Sequence, residues 1–416
     1  SYNTDLVKPA GAWPEADTEA GIKGELAGAS WPAPAVVMRG KPQGKPTYNV
    51  FLVKGGGEKS ASSGPALVLA PGKITAKPQA LAEATKKELA GHGATWVAWT
   101  ERLAPFQAAV RAKLKSAPAK IKGLAGEDGF IFYRNELESV VGGDLGKQPA
   151  GKNPLPVIAD FARGLAAHGV DFLFVPVPNK VEIFPEHLEA KHASLVGGIV
   201  NPYARKFLQD LAAGGVESID LLTPFLAERA RDKEAKEPIY QPQDTHWTHR
   251  GLELAAHLVA ERIKQYPWYA QLRQHPRRYV TKDATFTRLG DLHKNLPEPQ
   301  KRRYKPQPLL CHQVVNADGT PYDDDPESPI VVLGDSFTGV YQLTDCEHAG
   351  VSAHIAREIG YPVDLVMSYG GGPNVRQKLL RRGVEALGKK RLVVWMMTER
   401  DLYNYWEDWK PLELGK

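Results

Sequence analysis

The chain has 416 residues, of which 42% are hydrophobic and 24% charged, and a net charge of +5. That length allows two domains, or one large domain with an extension, and the composition is that of an ordinary globular protein. Basic residues are scattered apart from Lys301-Arg302-Arg303, which argues against nucleic acid as a partner, and no window approaches 18 consecutive apolar residues, so no membrane-spanning helix is expected.

The first residues, Ser1-Tyr2-Asn3-Thr4, read as a processed or trimmed start, which leaves a removed signal or anchor as an open reading. Residues 1–85 are rich in Pro, Gly, Ala and Lys, with strand-like runs at residues 48–53 and 66–70. They read as a small β-containing extension, with a disordered arm as the competing reading. Residues 86–416 read as the main domain. A helical pattern covers 78–114 with a break near Gly91 and Gly93. A turn and an aromatic strand follow at 126–133. Helices are then expected at 156–168, 201–213, 248–265, 351–359 and 374–386. Strands are expected at 171–177, 216–220, 330–333, 362–366 and 391–395. Thr248 is the expected N-cap of its helix. Residues 266–327 carry many Pro and charged residues and brief strand signals, and read as an insertion or lid-like excursion. Short apolar strands alternating with helices imply a mostly parallel sheet covered on both faces, with chemistry at the carboxyl ends of the strands.

Ser336 lies at such an end. Gly334-Asp335-Ser336-Phe337 directly follows the apolar run Ile330-Val331-Val332-Leu333. Gly334 permits a tight turn, Ser336 can act as a nucleophile, and its backbone N–H can face an oxyanion. The structural alternative is a helix N-cap. About ninety residues earlier stands Asp244-Thr245-His246-Trp247. In an extended segment residues i and i+2 project to one side, so Asp244 can hold one ring nitrogen of His246 while the other serves Ser336. His249 is a rival base, disfavoured because it falls in the first turn of the next helix. No third ligand stands at a convincing spacing, so no metal is expected, and no cofactor. The two cysteines, Cys311 and Cys346, flank the serine strand. One disulfide, implying an oxidising compartment, and two unpaired thiols are both open readings, and there is no structural zinc signature.

The order Asp-x-His before Gly-x-Ser resembles the SGNH-hydrolase-like domain of alginate O-acetyltransferases and related exopolysaccharide acetylases. Further stretches agree in order: Gly126-Glu127-Asp128-Gly129-Phe130-Ile131-Phe132, Val175-Pro176-Val177-Pro178-Asn179-Lys180 with Phe184-Pro185-Glu186, Ser368-Tyr369-Gly370-Gly371-Gly372-Pro373, and Val393-Val394-Trp395-Met396-Met397-Thr398-Glu399-Arg400. The resemblance runs from about Trp96 to Leu402. Asp335 stands where that family more often has Thr, and Met396 where it often has Glu.

The resemblance implies a flavodoxin-like three-layer α/β sandwich. It implies Ser336 as nucleophile, His246 as general base and Asp244 as its orienter. Gly370 and Gly371 become oxyanion candidates, and Tyr369, Arg376, Arg400, Lys180 and Trp247 candidates for substrate contact or support. It further implies O-acetylation of an exopolysaccharide such as alginate or cellulose, a periplasmic or cell-surface location, and a membrane-bound O-acyltransferase as source of the acetyl group. An acetylesterase with the same triad and a non-catalytic polysaccharide-binding or assembly subunit are the alternatives. The aromatic tail Tyr403-Asn404-Tyr405-Trp406 through Trp409 offers rings for sugar stacking or for packing on the core.

Overall fold

A computed structural model describes residues 35–39, 49–53 and 96–414. The expected strand at 66–70, the first part of the helix at 78–114 and the break near Gly91 lie outside the described residues. Strands β1 (Ala35–Arg39) and β2 (Asn49–Val53) form an antiparallel hairpin in a unit of residues 1–68. Everything described below belongs to the unit of residues 69–416.

In that unit, helix Trp96–Ser116 leads into a short antiparallel pair, β3 (Gly123–Ala125) and β4 (Ile131–Tyr133). The centre is a sheet built from β5 (Asp171–Val177), β8 (Ile330–Gly334), β9 (Asp364–Met367) and β10 (Leu392–Thr398). Its order is β5-β10-β8-β9 and all pairings are parallel. The expected strand at 216–220 is reduced to a parallel bridge between Phe174 and Ser218 outside β5. Counted from the serine strand β8, the four strands run 2-1-3-4, with the Ser218 bridge in the place of a fifth; this is the flavodoxin-like order, with the chain opened between β10 and β5. That opening is why the Asp-x-His segment precedes the serine in sequence.

The strands are apolar at successive positions because both faces are covered. Val331 and Leu333 of β8 and Val393, Trp395 and Met397 of β10 join a core with helices Pro154–Ala167, Pro202–Ala213 and Val375–Leu380. Ile330, Val332, Val394 and Met396, of opposite pleat, are equally buried. Helix His249–Ile263 packs on helix Val351–Ile359, which also meets helix Ser336–Leu343. The expected helix at 374–386 is broken at Gly383, whose φ is +89°.

The insertion departs most from expectation. Instead of brief strands it carries a long antiparallel hairpin, β6 (Tyr279–Arg288) and β7 (Gln307–Asn316). Most of β6 is exposed, so it has no apolar run to announce it. Cys311 of β7 and Cys346 form a disulfide that ties this hairpin to the loop after helix Ser336–Leu343.

Candidate active site

The switch point of the sheet lies between β8 and β10, and their carboxyl ends deliver Ser336 and the segment Thr398–Arg400 to one crevice. Gly334 is required there. A Cβ on it would stand 2.2 Å from a Thr338 side-chain carbon, so only glycine lets the helix start this close to the strand. Asp335 is the N-cap of helix Ser336–Leu343, and its Oδ1 accepts from the N–H of Phe337 at 2.9 Å. Its Oδ2 accepts from the N–H of Thr398 at 2.9 Å and latches β8 to β10. Asp335 is therefore the cap, and Ser336, half-buried, is the first helical residue. The first N–H groups of a helix have no intrahelical partner, which leaves that of Ser336 suited to a developing oxyanion.

Asp244 and His246 meet as their spacing predicts. His246 Nδ1 lies 2.6 Å from Asp244 Oδ1, which also accepts from the His246 backbone N–H at 3.0 Å. The second oxygen of Asp244 accepts from Arg288 Nη1 at 2.5 Å and from the N–H of Asp291 at 2.6 Å. Asp244 is wholly buried. Burial pushes its carboxyl up, but His246, Arg288 and the Asp291 N–H outweigh burial and hold it well below the usual range. For His246 burial pulls the imidazole down, while the charge and hydrogen bond of Asp244, and then Asp291, raise it above its ordinary value. The ring lies 4.9 Å from that of Phe337, the residue after Ser336. Its Nε2 is buried and makes no hydrogen bond among the described residues. No hydrogen bond joins His246 to Ser336 among them either. His249, the rival base, starts the next helix and pairs with Glu237 at 3.1 Å.

Arg288 and Asp291 come from the insertion, and sequence reasoning missed both. The one local signal is Gly290 between them. A Cβ there would stand 2.1 Å from the carbonyl oxygen of Gln243, so the glycine lets the insertion press against the Asp244 turn. Asp291 also puts a third ligand-type group beside Asp244 and His246. The carboxylate oxygens are nonetheless engaged. Asp291 accepts from the N–H and hydroxyl of Thr245, both at 2.8 Å, and Asp244 has a guanidinium against it.

The other candidates divide sharply. Arg400 lies over the rings of Tyr133 at 5.3 Å and Phe337 at 5.5 Å, and Asp401 and Asp335 raise it despite burial. It borders the crevice with a charge that carboxylate or oxyanion chemistry can use. Tyr369 is 38% exposed at the loop beyond β9. In that loop Gly370 has φ +64° and its carbonyl accepts from the Tyr405 hydroxyl at 2.7 Å. Gly371 spends its N–H on the carbonyl of Ser368 at 3.0 Å, so it is not an oxyanion donor in this arrangement. Trp247 is fully buried against Phe225 and Phe337 and cannot meet a substrate. Arg376 is buried over the rings of Phe161, Trp395 and Trp409 and donates to the carbonyls of Pro373 and Lys410. It supports the core beneath the glycine loop. Lys180 is fully buried behind the Asp244 turn. In the tail, Tyr405 and Trp409 pack inward and Trp406 alone of the three is 71% exposed.

Residues 124–399, more than half of the chain, match the family model described as the SGNH hydrolase-like domain of the acetyltransferase AlgX. The chain belongs to that family. Among its relatives are a probable alginate O-acetylase AlgJ of Pseudomonas fluorescens, 28% identical over 221 residues, 51% of this chain and 52% of the relative, and one of Pseudomonas syringae pv. tomato, 26% identical over 212 residues, 48% and 50%. The chain thus spans about half the length of the curated relatives it matches. The solved O-acetyltransferase domain of Pseudomonas putida AlgJ superposes with a TM-score of 0.50 at 21% identity, covering 67% of this chain and 91% of that one. Pseudomonas aeruginosa AlgX superposes with a TM-score of 0.53 at 16% identity, covering 71% and 66%. At these identities the solved structures speak for the SGNH-like fold. The family match spans Asp244, His246, Ser336 and the closing Glu399.

Proposed function

We propose that this chain is a polysaccharide O-acetyltransferase that works through an acetyl ester on Ser336. The observation that carries the reading is the buried Nε2 of His246. Its ring is fixed by Asp244 at the far nitrogen and leans on Phe337, one residue from Ser336. Ser336 Oγ attacks the acetyl carbonyl of a donor ester and passes its proton to His246 Nε2. The C–O bond to the donor breaks and the leaving oxygen takes that proton. A sugar hydroxyl then gives its proton to His246 and attacks the acyl-enzyme, and Ser336 recovers its proton as its ester bond breaks. Asp244 keeps Nδ1 protonated and stabilises the imidazolium. The Ser336 N–H and Arg400 stand where oxyanion charge develops.

The relatives named as alginate O-acetylases support an anionic exopolysaccharide such as alginate as acceptor. The Cys311–Cys346 disulfide supports an oxidising compartment such as the periplasm. Among the described residues no helix is long and apolar enough to cross a membrane. A membrane-bound O-acyltransferase as source of the acetyl group is part of the proposal and rests on the family resemblance. An acetylesterase shares every step except the acceptor, where water replaces the sugar hydroxyl. The test is turnover of p-nitrophenyl acetate with and without oligosaccharide acceptor. Acetylated oligosaccharide that forms with wild type and not with Ser336→Ala supports the transferase. Release of acetate alone, unchanged by acceptor, selects the esterase. Polymer binding with no turnover selects a non-catalytic subunit.

A further inference from the structure

Lys180 opens the short helix Lys180–Ile183 immediately beyond β5 and is 0% exposed. Its ammonium lies over the ring of Phe132, with Nζ 5.6 Å from the ring centre. The ammonium donates to three carbonyls: Asp244 at 2.6 Å, Pro242 at 3.0 Å and Gln241 at 3.3 Å. An ammonium has three N–H donors, and all three are matched here. The carbonyls belong to one turn, closed by the Asp244 N–H on the carbonyl of Gln241 at 3.3 Å and by the Gln241 N–H on that of His246 at 3.0 Å. Asp244 stands in that turn and its partner His246 follows two residues on. No carboxylate oxygen lies within 4 Å of Nζ among the described residues, so this buried charge rests on carbonyl dipoles. The acyl-transfer steps drawn above make no use of it.

We infer that Lys180 is a positioning residue whose ammonium clamps the backbone of the 241–244 turn, and so sets where His246 Nε2 stands relative to Ser336. The inference rests on the acyl-transfer reading. A burial of this depth is costly for a lysine and is not repaid by an ion pair. What it secures is rigidity: three bonds to one short backbone segment leave the Asp244 carboxylate little freedom to swing. The clamp is also conditional on charge. A neutral amine has two N–H groups, so it must release one carbonyl. Burial lowers the Lys180 pKa to about 8, against the opposing pull of Glu136, Asp244 and Asp291, with Arg400 adding to the lowering. Glu136 itself, which faces Lys180 from helix Arg134–Val140, is pushed up by its own burial.

The test is the pH profile of acylation in the full chain. Wild type, Lys180→Met and Lys180→Arg are compared with p-nitrophenyl acetate between pH 6 and about 10, with circular dichroism and thermal melting to establish folding. Wild type is expected to lose activity above pH 8, where the clamp loses a donor. Lys180→Met is expected to fall about 100-fold at neutral pH, the loss that a displacement near 1 Å produces, and to lack the alkaline decline. Lys180→Arg keeps a charge that does not titrate in this range. If the methionine variant does not fold, the arginine variant carries the test by losing the alkaline decline. A decline near pH 8 that persists in a folded variant, or a methionine variant within about threefold of wild type, overturns the inference. If wild type forms no acyl adduct on Ser336, the acyl-transfer reading has failed. If it does form one and the variants behave like wild type, the failure belongs to Lys180 alone.

Discussion

Replacing Asp244 by Asn tests how the His246 base is held. Each oxygen of Asp244 faces two donors: His246 Nδ1 and the His246 N–H on one side, Arg288 and the Asp291 N–H on the other. An amide has one acceptor oxygen and one NH2 group, so either orientation sets a donor against two donors. With the NH2 toward His246, the imidazole must carry its proton on Nε2, the nitrogen that accepts from Ser336 in the proposed mechanism. With the NH2 toward Arg288, a guanidinium loses its buried counter-charge. Wrong-tautomer variants of buried triads lose about 10⁴-fold in kcat, equal to roughly 5 kcal/mol of barrier. Removing one partner of a buried pair costs about 3–5 kcal/mol in stability. Here Arg288 is partly exposed and keeps Asp345 at 2.7 Å, so the lower end is expected. The assay is kcat/KM for p-nitrophenyl acetate beside a denaturant melt of the same preparation. A folded Asp244→Asn variant within tenfold of wild type would refute the assignment of Asp244 as orienter.

Because Asp244 raises the His246 imidazole above its ordinary value of 6.5, kcat/KM is expected to fall as pH drops through a value above 6.5. The sign for stability is opposite, since imidazolium stabilises the fold below the unfolded value and that contribution is lost as pH rises through the folded one. An acid limb at or below 6.5 would contradict the pairing. Cys346→Ser opens a link across 35 residues and is expected to cost about 3 kcal/mol, read as a lowered denaturant midpoint. It should also reduce turnover, because the neighbouring Asp345 holds Arg288, whereas unchanged stability would count against the bond. Gly334→Ala drives a methyl into Thr338 and is expected to cost about 1–3 kcal/mol and at least tenfold in acylation rate. A variant as stable and active as wild type would remove the close approach as the reason for that glycine.

Much of the site was legible in sequence because it is local. An apolar run ending in Gly334-Asp335-Ser336 can be read as strand, turn and helix start, and the one-residue spacing of Asp244 and His246 survives in the structure as a 2.6 Å contact. The remainder depends on distance along the chain. Arg288 and Asp291 reach Asp244 from 44 and 47 residues away, and no periodicity marks them. The exposed β6 strand carries polar and charged residues that read as loop. Trp247 and Arg376 became candidates through the resemblance, yet burial decides what can touch a substrate, and both are buried. The order of the motifs follows from the strand order: the chain is opened between β10 and β5, so the Asp244–His246 segment comes before the serine strand β8.

The central claim is that Ser336 carries the acetyl group, and intact-protein and peptide mass spectrometry after brief exposure to p-nitrophenyl acetate tests it most directly. The account predicts one acetyl group, on the peptide holding Ser336, absent in Ser336→Ala and accumulating in His246→Ala far more slowly than in wild type. An acetyl group elsewhere, or equal labelling of wild type and Ser336→Ala, would contradict it.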